Sequence, residues 1–323
     1  KGFFLENATV MEKGNHFFAH GKLLLTAEYA VLDGALAIAL PTQYDQEMHI
    51  TPSEREGIFF RSLTQEGTPW YEGQLFVGDT NPISQTLERI LSQAQRMQPN
   101  FLTGQSVHVE TRLDFPREWG LGSSSTLISM IAQWAEVNPY ELLWNSFGGS
   151  GYDIACARAS SPILYQLTEG KAKVYPIYYN PPFATSLFFV YLNKKQNSRE
   201  GIALYQGLKK NKKPLVSQLS QLTEEIYRTH SLDTFSKLLS EHEAVLSSYL
   251  RLPTVKDSLF KDFSGTIKSL GAWGGDFVLA IGEESYIKEY FISKGMQTIL
   301  PFAQMILPTD REPILPPAHQ APR

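Results

Sequence analysis

The chain has 323 residues, of which 42% are hydrophobic and 19% charged, an ordinary globular composition with room for two cores or one large one. A net charge of -4 argues against a nucleic-acid surface spread over the whole molecule, and no apolar run is long enough to span a bilayer. The single cysteine, Cys156, excludes an internal disulfide and a cysteine-built zinc site and fits a reducing cytoplasm, while the seven histidines form no H-E-x-x-H pair.

At the start, residues 1–10 are too short for a complete secretory signal, and Met11 is a candidate natural start. Residues 22–26 read as a short buried strand. Asp33-Gly34, between the apolar runs of 30–40, signals a hairpin. Lys22 and Glu28 are charges inside very apolar sequence, so each calls for a partner or a ligand; for Lys22 a snorkelling stem is the plain alternative. Residues 50–76 suggest short antiparallel strands broken by glycines. Asn81-Pro82 then caps a helix whose apolar face is Ile83, Leu87, Ile90, Leu91 and Ala94. Residues 107–113 alternate like a half-exposed strand.

Residues 119–126 read W-G-L-G-S-S-S-T, followed at once by an apolar run that predicts a buried helix ending near residue 137. Glycines let a backbone approach a ligand closely, and a helix start offers free N–H groups and partial positive charge to a phosphate. The serines can cap the helix, bond phosphate oxygen or ligate a hard cation. A serine-capped core helix after a glycine turn is the plain alternative. Asn138-Pro139 caps a second short helix to about residue 147, and a glycine-rich turn at 148–151 leads to Asp153, either a helix-start charge or a catalytic carboxylate. A phosphate-cradling loop, a buried lysine and an aspartate in a glycine turn are the parts that phosphoryl transfer to an alcohol needs. Neither a Walker G-x-x-x-x-G-K-[ST] nor a protein-kinase motif set is present.

Further on, residues 187–192 predict a strand, Leu215, Leu219, Leu222 and Ile226 one helical stripe, and Leu232, Phe235, Leu238, Leu239 and Glu243 another helix, capped by Ser231. A strand at 277–281, a helix near 284–294 and a last strand near 296–301 complete an α+β sandwich. The tail, with Pro308, Pro313, Pro316, Pro317 and Pro322, reads as an extended or disordered end.

Three stretches together resemble the GHMP kinase superfamily, in its mevalonate kinase and phosphomevalonate kinase branch. H-G-K-L-L-L-T-A-E-Y-A-V at 20–31 is similar to P-G-K-[LIV]-x-L-x-G-E-[HY]-A-V, and P-R-E-W-G-L-G-S-S-S at 116–125 to the ATP loop P-x-x-x-G-L-G-S-S-[AS]. S-L-G-A-W-G-G-D at 269–276 resembles the third motif, S-G-A-G-G-G-[DG]. His20 replaces a proline, Ala27 a glycine, and Trp273 a motif glycine, the last a large ring in a close-approach loop.

The resemblance implies an α+β, two-domain fold: a ribosomal S5 domain 2-like N-terminal domain at 11–180 and a ferredoxin-like C-terminal domain at 181–307, with the tail at 308–323. It implies ATP and Mg2+ as cofactors, Asp153 as catalytic base and Lys22 as its electrostatic partner. Gly120, Leu121, Gly122, Ser123, Ser124 and Ser125 would hold the nucleotide, with Ser124 and Glu141 on the metal. Substrate contacts are expected from Lys22, Glu28, Ser150, Gly151, Asp153, Arg199, Gly274 and Gly275. S-G-Y-D-I-A at 150–155 and G-A-W-G-G-D at 271–276 look most like phosphomevalonate kinase, with mevalonate as the other candidate substrate. For a phosphorylated substrate, Lys194, Lys195 and Arg199 are candidate cations; a solvated turn is the alternative there. The expected partner is a small molecule, not nucleic acid or membrane, and the expected form is a cytoplasmic monomer or homodimer. A non-catalytic binding protein on the same fold, or a kinase for another small alcohol or sugar, is the competing reading.

Overall fold

The computed structural model describes residues 15–309; the expectations for residues 1–10, for Met11 and for the tail from residue 310 lie outside them. Strand β1 (Asn15–Leu24) leads through a 3-10 turn (Ala30–Asp33) into the long β2 (Ala37–Pro52), then β3 (Ile58–Leu63) and β4 (Pro69–Leu75). Helix α1 (Pro82–Met97) and β5 (Val107–Leu113) follow, then helices α2 (Ser123–Trp134), α3 (Pro139–Ser146) and α4 (Tyr152–Ala157), and the hairpin β6 (Ile163–Thr168) and β7 (Lys171–Pro176). The second part holds β8 (Leu187–Tyr191), α5 (Ser198–Gly207), α6 (Lys213–Arg228), α7 (Leu232–Leu250), α8 (Val255–Leu259), β9 (Thr266–Ser269), β10 (Phe277–Ile281), α9 (Glu284–Ser293), β11 (Ile299–Pro301) and α10 (Phe302–Met305).

These strands form two sheets, which makes the architecture α+β as expected. The larger runs β4-β3-β5-β2-β6-β7 with β1 beside β2, and the smaller runs β11-β8-β10-β9, antiparallel throughout. Among the described residues, only β3 and β5 pair in parallel, because β4 and α1 together supply the crossover such a pair requires.

Periodicity explains the helices. Asn81 accepts the Ile83 N–H and Pro82 occupies the first turn, after which Leu87, Ile90, Leu91 and Ala94 are buried on one face of α1. Each large side chain removed from water in this way contributes about 1.5–3 kcal/mol. Helices α1 to α4 build one core with the large sheet, and α8 and α9 cover one face of the small sheet. A third, continuous core runs from Leu23 and Ile38 through Phe189 and Leu279 to Leu219, Phe235 and Leu239 on α6 and α7, which ties the two sheets together.

Several expectations are corrected. Asp33-Gly34 closes no hairpin: it ends the 3-10 turn, with Gly34 left-handed at φ 90°. Asp33 instead accepts the Tyr205 hydroxyl at 2.7 Å and lies 3.1 Å from the Lys212 ammonium. The first strand begins at Asn15, well before residue 22, because β1 needs its full length to pair along β2. Helix α2 stops at Trp134, and β11 covers only Ile299–Pro301. The run after β8 that reads as a solvated turn continues into α5.

Candidate active site

The site begins with an irregularity in β1. Its register on β2 shifts between His20 and Lys22, and a bulge of this kind re-aims the side chain beside it. Gly21 is needed there, since a Cβ would meet the Thr42 hydroxyl at 2.6 Å and the Leu121 carbonyl at 3.1 Å. The close approach lets the Lys22 N–H donate to the Leu121 carbonyl at 2.8 Å, while the Lys22 ammonium donates to the Gly120 carbonyl, also at 2.8 Å. The first strand is thus fastened to the glycine–serine loop at two points.

That loop turns through Gly120 at φ 68° and Gly122 at φ 94°, left-handed conformations that favour glycine. Gly122 has no side chain with which to cap α2. The serines do not cap it either: the Ser125 hydroxyl donates back to the Gly122 carbonyl at 2.8 Å. The N–H groups of the first turn of α2 are therefore left for a ligand, with the helix dipole behind them.

Lys22, Gly122, Ser123, Ser124, Asp153 and Asp276 share one cleft. Asp153, in the first turn of α4, accepts the Ile154 N–H at 3.0 Å. Burial pushes its carboxyl above the ordinary aspartate range, and the Lys22 ammonium draws it part of the way back. Asp276 behaves alike: burial raises it, while the Gln196 N–H, Lys22 and Lys195 favour its charged form. The cleft therefore gathers a cation and two carboxylates, beside a helix start with free donors. Such a site can hold an anion and receive a proton.

Of the other expected nucleotide contacts, Gly120 and Ser125 line the cleft, but Leu121 is wholly buried and contributes only its carbonyl to Lys22. Ser150 also lines it. Gly151 does not; it caps α4 against the rings of Tyr140 and Tyr165. Gly274 and Gly275 are likewise outside the lining, where their neighbours Ala272 and Asp276 are inside. Arg199 is turned to the Phe147 ring, 5.4 Å from its centroid, and Lys195 is the cation of that stretch that reaches the cleft.

Glu28 is no substrate contact. It is fully buried and paired with Lys268, which also lies 3.1 Å from Glu243. Burial raises its carboxyl to about 7, against the pull of Lys268 and with a further push from Glu243. His242 stands 3.8 Å from it but is no ion partner, because its Nε2 accepts the Ala27 N–H at 2.8 Å and burial holds the ring neutral. Lys268, Glu243 and His242 were not legible as a group, since Lys268 stands in the mixed stretch Thr-Ile-Lys-Ser, which carries no sign of burial.

Glu141 also fails as a metal ligand. It is exposed on the first turn of α3, where Asn138 caps, and does not line the cleft. Ser124 does, with its residue exposed, so of the expected metal pair only the serine fits. Among the described residues, His16, Glu47 and His49 form one exposed cluster with ligand atoms within 4.8 Å of each other, but none of the three lines the cleft.

The departures from the family pattern have separate outcomes. Trp273 is buried in the core that joins the two sheets; its N–H donates to the Tyr29 hydroxyl at 2.8 Å and its indole to the Pro253 carbonyl at 3.0 Å. It therefore leaves the cleft open. Ala27 keeps the left-handed conformation suited to glycine, at φ 62°, which strains an alanine. His20 sits 3.7 Å from Asp45, and burial lowers its pKa.

No protein-family model matches the chain, and no curated protein matches it in sequence. Solved structures do match in shape. Streptococcus pneumoniae phosphomevalonate kinase, in complex with phosphomevalonate and AMPPNP, is 16% identical with a TM-score of 0.66, over 88% of this chain and 99% of that one. L. major mevalonate kinase, in complex with R-mevalonate, is 15% identical with a TM-score of 0.61, over 88% of this chain and 94% of that one. Lactococcus lactis galactokinase, complexed with galactose, is 14% identical with a TM-score of 0.59, over 87% and 88%. All three are GHMP superfamily kinases, and the chain shares their fold. Among the described residues, no helix is long and apolar enough to cross a membrane.

Proposed function

We propose that this chain is an ATP-dependent kinase that transfers the γ-phosphate to a small isoprenoid-pathway molecule, to the phosphate of phosphomevalonate or to a hydroxyl of mevalonate. The observation that carries the reading is convergence: Lys22 from the first strand, the serine loop and Asp153 face one cleft. In this reading a hydroxyl acceptor gives its proton to the Asp153 carboxylate as its oxygen bonds the γ-phosphorus, whereas a phosphate acceptor attacks through an oxygen that is already anionic. The bond from that phosphorus to the β–γ bridging oxygen breaks, and its electron pair leaves on ADP. The free N–H groups of α2 hold the β- and γ-phosphates, and Lys22 offsets developing charge and favours the ionised form of Asp153. Mg2+, when bound, neutralises charge on those phosphates, and Ser124 is positioned in the cleft to take part in holding it.

The three structural neighbours are kinases solved with phosphomevalonate, R-mevalonate or galactose, which supports a small-molecule acceptor. The Gly-Tyr-Asp stretch at 151–153, the Gly-Gly-Asp stretch at 274–276 and the presence of Lys195 on the cleft favour phosphomevalonate. The division into 11–180 and 181–307 belongs to the same reading, with the nucleotide loop and the base in the first part. A coupled ADP-release assay with phosphomevalonate, mevalonate, galactose and homoserine tests it. Turnover with one of the first two is expected, and no ADP release with any of the four would refute the kinase reading.

A further inference from the structure

Asp276 is the acid that the third glycine loop delivers to the cleft, and no role given to the site so far uses it. Its backbone is left-handed, at φ 52°, a conformation that aspartate tolerates better than most residues but that is held only when its surroundings enforce it. Two bonds enforce it here. The Asp276 N–H donates to the Lys194 carbonyl at 2.8 Å, and the Gln196 N–H donates to Asp276 Oδ1 at 3.0 Å. The carboxylate is thereby pressed against the phosphate loop, where a Cβ on Gly120 would overlap it. The glycine that lets the loop turn is also the glycine that makes room for this acid.

A carboxylate at that point repels a triphosphate unless a cation lies between them. Mg2+ is commonly held by one or two carboxylates together with substrate phosphates and water. Among the described residues, only Asp153 and Asp276 are carboxylates on the cleft lining, and in the kinase reading Asp153 is engaged as the proton acceptor. Glu141 faces elsewhere.

Resting on the kinase reading, we propose that Asp276 is a ligand of the divalent cation that accompanies the nucleotide, and supplies the carboxylate that Glu141 does not.

The test is nucleotide binding rather than turnover. AMPPNP affinity is measured by calorimetry with and without Mg2+ for the wild type, Asp276→Asn and Glu141→Gln, and bound Mn2+ is followed by electron paramagnetic resonance in the presence of AMPPNP. In Asp276→Asn, metal-free AMPPNP is expected to bind at least as tightly as to the wild type, because repulsion is relieved. Mg2+–AMPPNP is expected to bind roughly tenfold or more weakly, and the bound Mn2+ signal to fall. Glu141→Gln is expected to match the wild type in every arm. Should Asn at this backbone conformation fail to fold, as judged by the urea midpoint, Asp276→Gly repeats the test with a residue suited to that φ. Equal weakening of both nucleotide forms, no change in either, or loss of metal dependence in Glu141→Gln instead, overturns the proposal. A wild type that binds no AMPPNP in either state overturns the kinase reading itself, which separates the two failures.

Discussion

Replacing Lys268 with methionine tests whether the buried acid pair depends on this one ammonium. Lys268 and Glu28 are wholly buried, and Lys268 contacts Glu28, Glu243 at 3.1 Å and the Ser269 carbonyl at 2.7 Å. Methionine keeps the stem and its packing but removes the charge between two carboxylates. Breaking a buried pair from one side costs about 3–5 kcal/mol, because the surviving charge keeps its desolvation penalty. The loss depends on pH, and its sign follows from Glu28. Its folded carboxyl sits at about 7, above the 4.5 of an ordinary glutamate, so the folded state holds a proton that the unfolded state has released between those values. Glu28 therefore supports stability fully below pH 4.5, and that support is lost as pH rises to 7, by about 3 kcal/mol. Without Lys268 the carboxyl moves higher still, so Lys268→Met should destabilise less at pH 5 than at pH 8. Urea unfolding followed by tryptophan fluorescence at both pH values measures this, and the double variant Glu28→Gln with Lys268→Met should recover part of the loss at pH 8. A loss under about 1 kcal/mol at pH 8, or one larger at pH 5 than at pH 8, would show that the buried cluster does not behave as an ion triad.

For Asp153→Asn, kcat should fall at least roughly 10²-fold with little change in ATP affinity, as steady-state kinetics beside nucleotide calorimetry would show. In the wild type, kcat/KM should drop on the acid side as Asp153 takes up its proton, with a midpoint above the 3.8 of an ordinary aspartate because burial raises it; a flat acid limb would contradict the base assignment. Ala27→Gly should stabilise the fold by about 1–2 kcal/mol in urea titration, since glycine carries no Cβ penalty at this positive φ. Lys195→Ala should raise the KM for phosphomevalonate or nucleotide roughly tenfold, whereas Arg199→Ala, turned to Phe147, should leave both within about twofold.

The glycine loops, Lys22 and Asp153 were legible because their signals are local. A glycine between apolar residues marks a left-handed turn or a close approach, and a charge in an apolar run calls for an explanation wherever the chain goes. The same locality shows in α1 and α3, whose Asn-Pro starts fall where the pattern places them, and in the apolar stripe of α1. Lys22 and Glu28 carried the same local signal, yet their fates differ: one faces the cleft and the other is sealed beneath it.

That difference comes from topology. Glu28 meets Lys268 across 240 residues of sequence, and only the packing of α7 and β9 beneath the first strand makes the acid structural. Glu141 and Arg199 were expected at the site and Trp273 stood in a glycine loop with its role open, but the helix face or core contact that turns each from the cleft arises from packing between elements. Asp276 stood in a quoted motif and still gained its place only when the chain from β8 bonded it against Gly120. What the amino-acid sequence by itself determined is each segment's periodicity and backbone freedom, since these depend on residues a few positions apart. What the tertiary structure alone decided is which charges meet, because the strength of an ion pair depends on distance through space and on the water excluded around it.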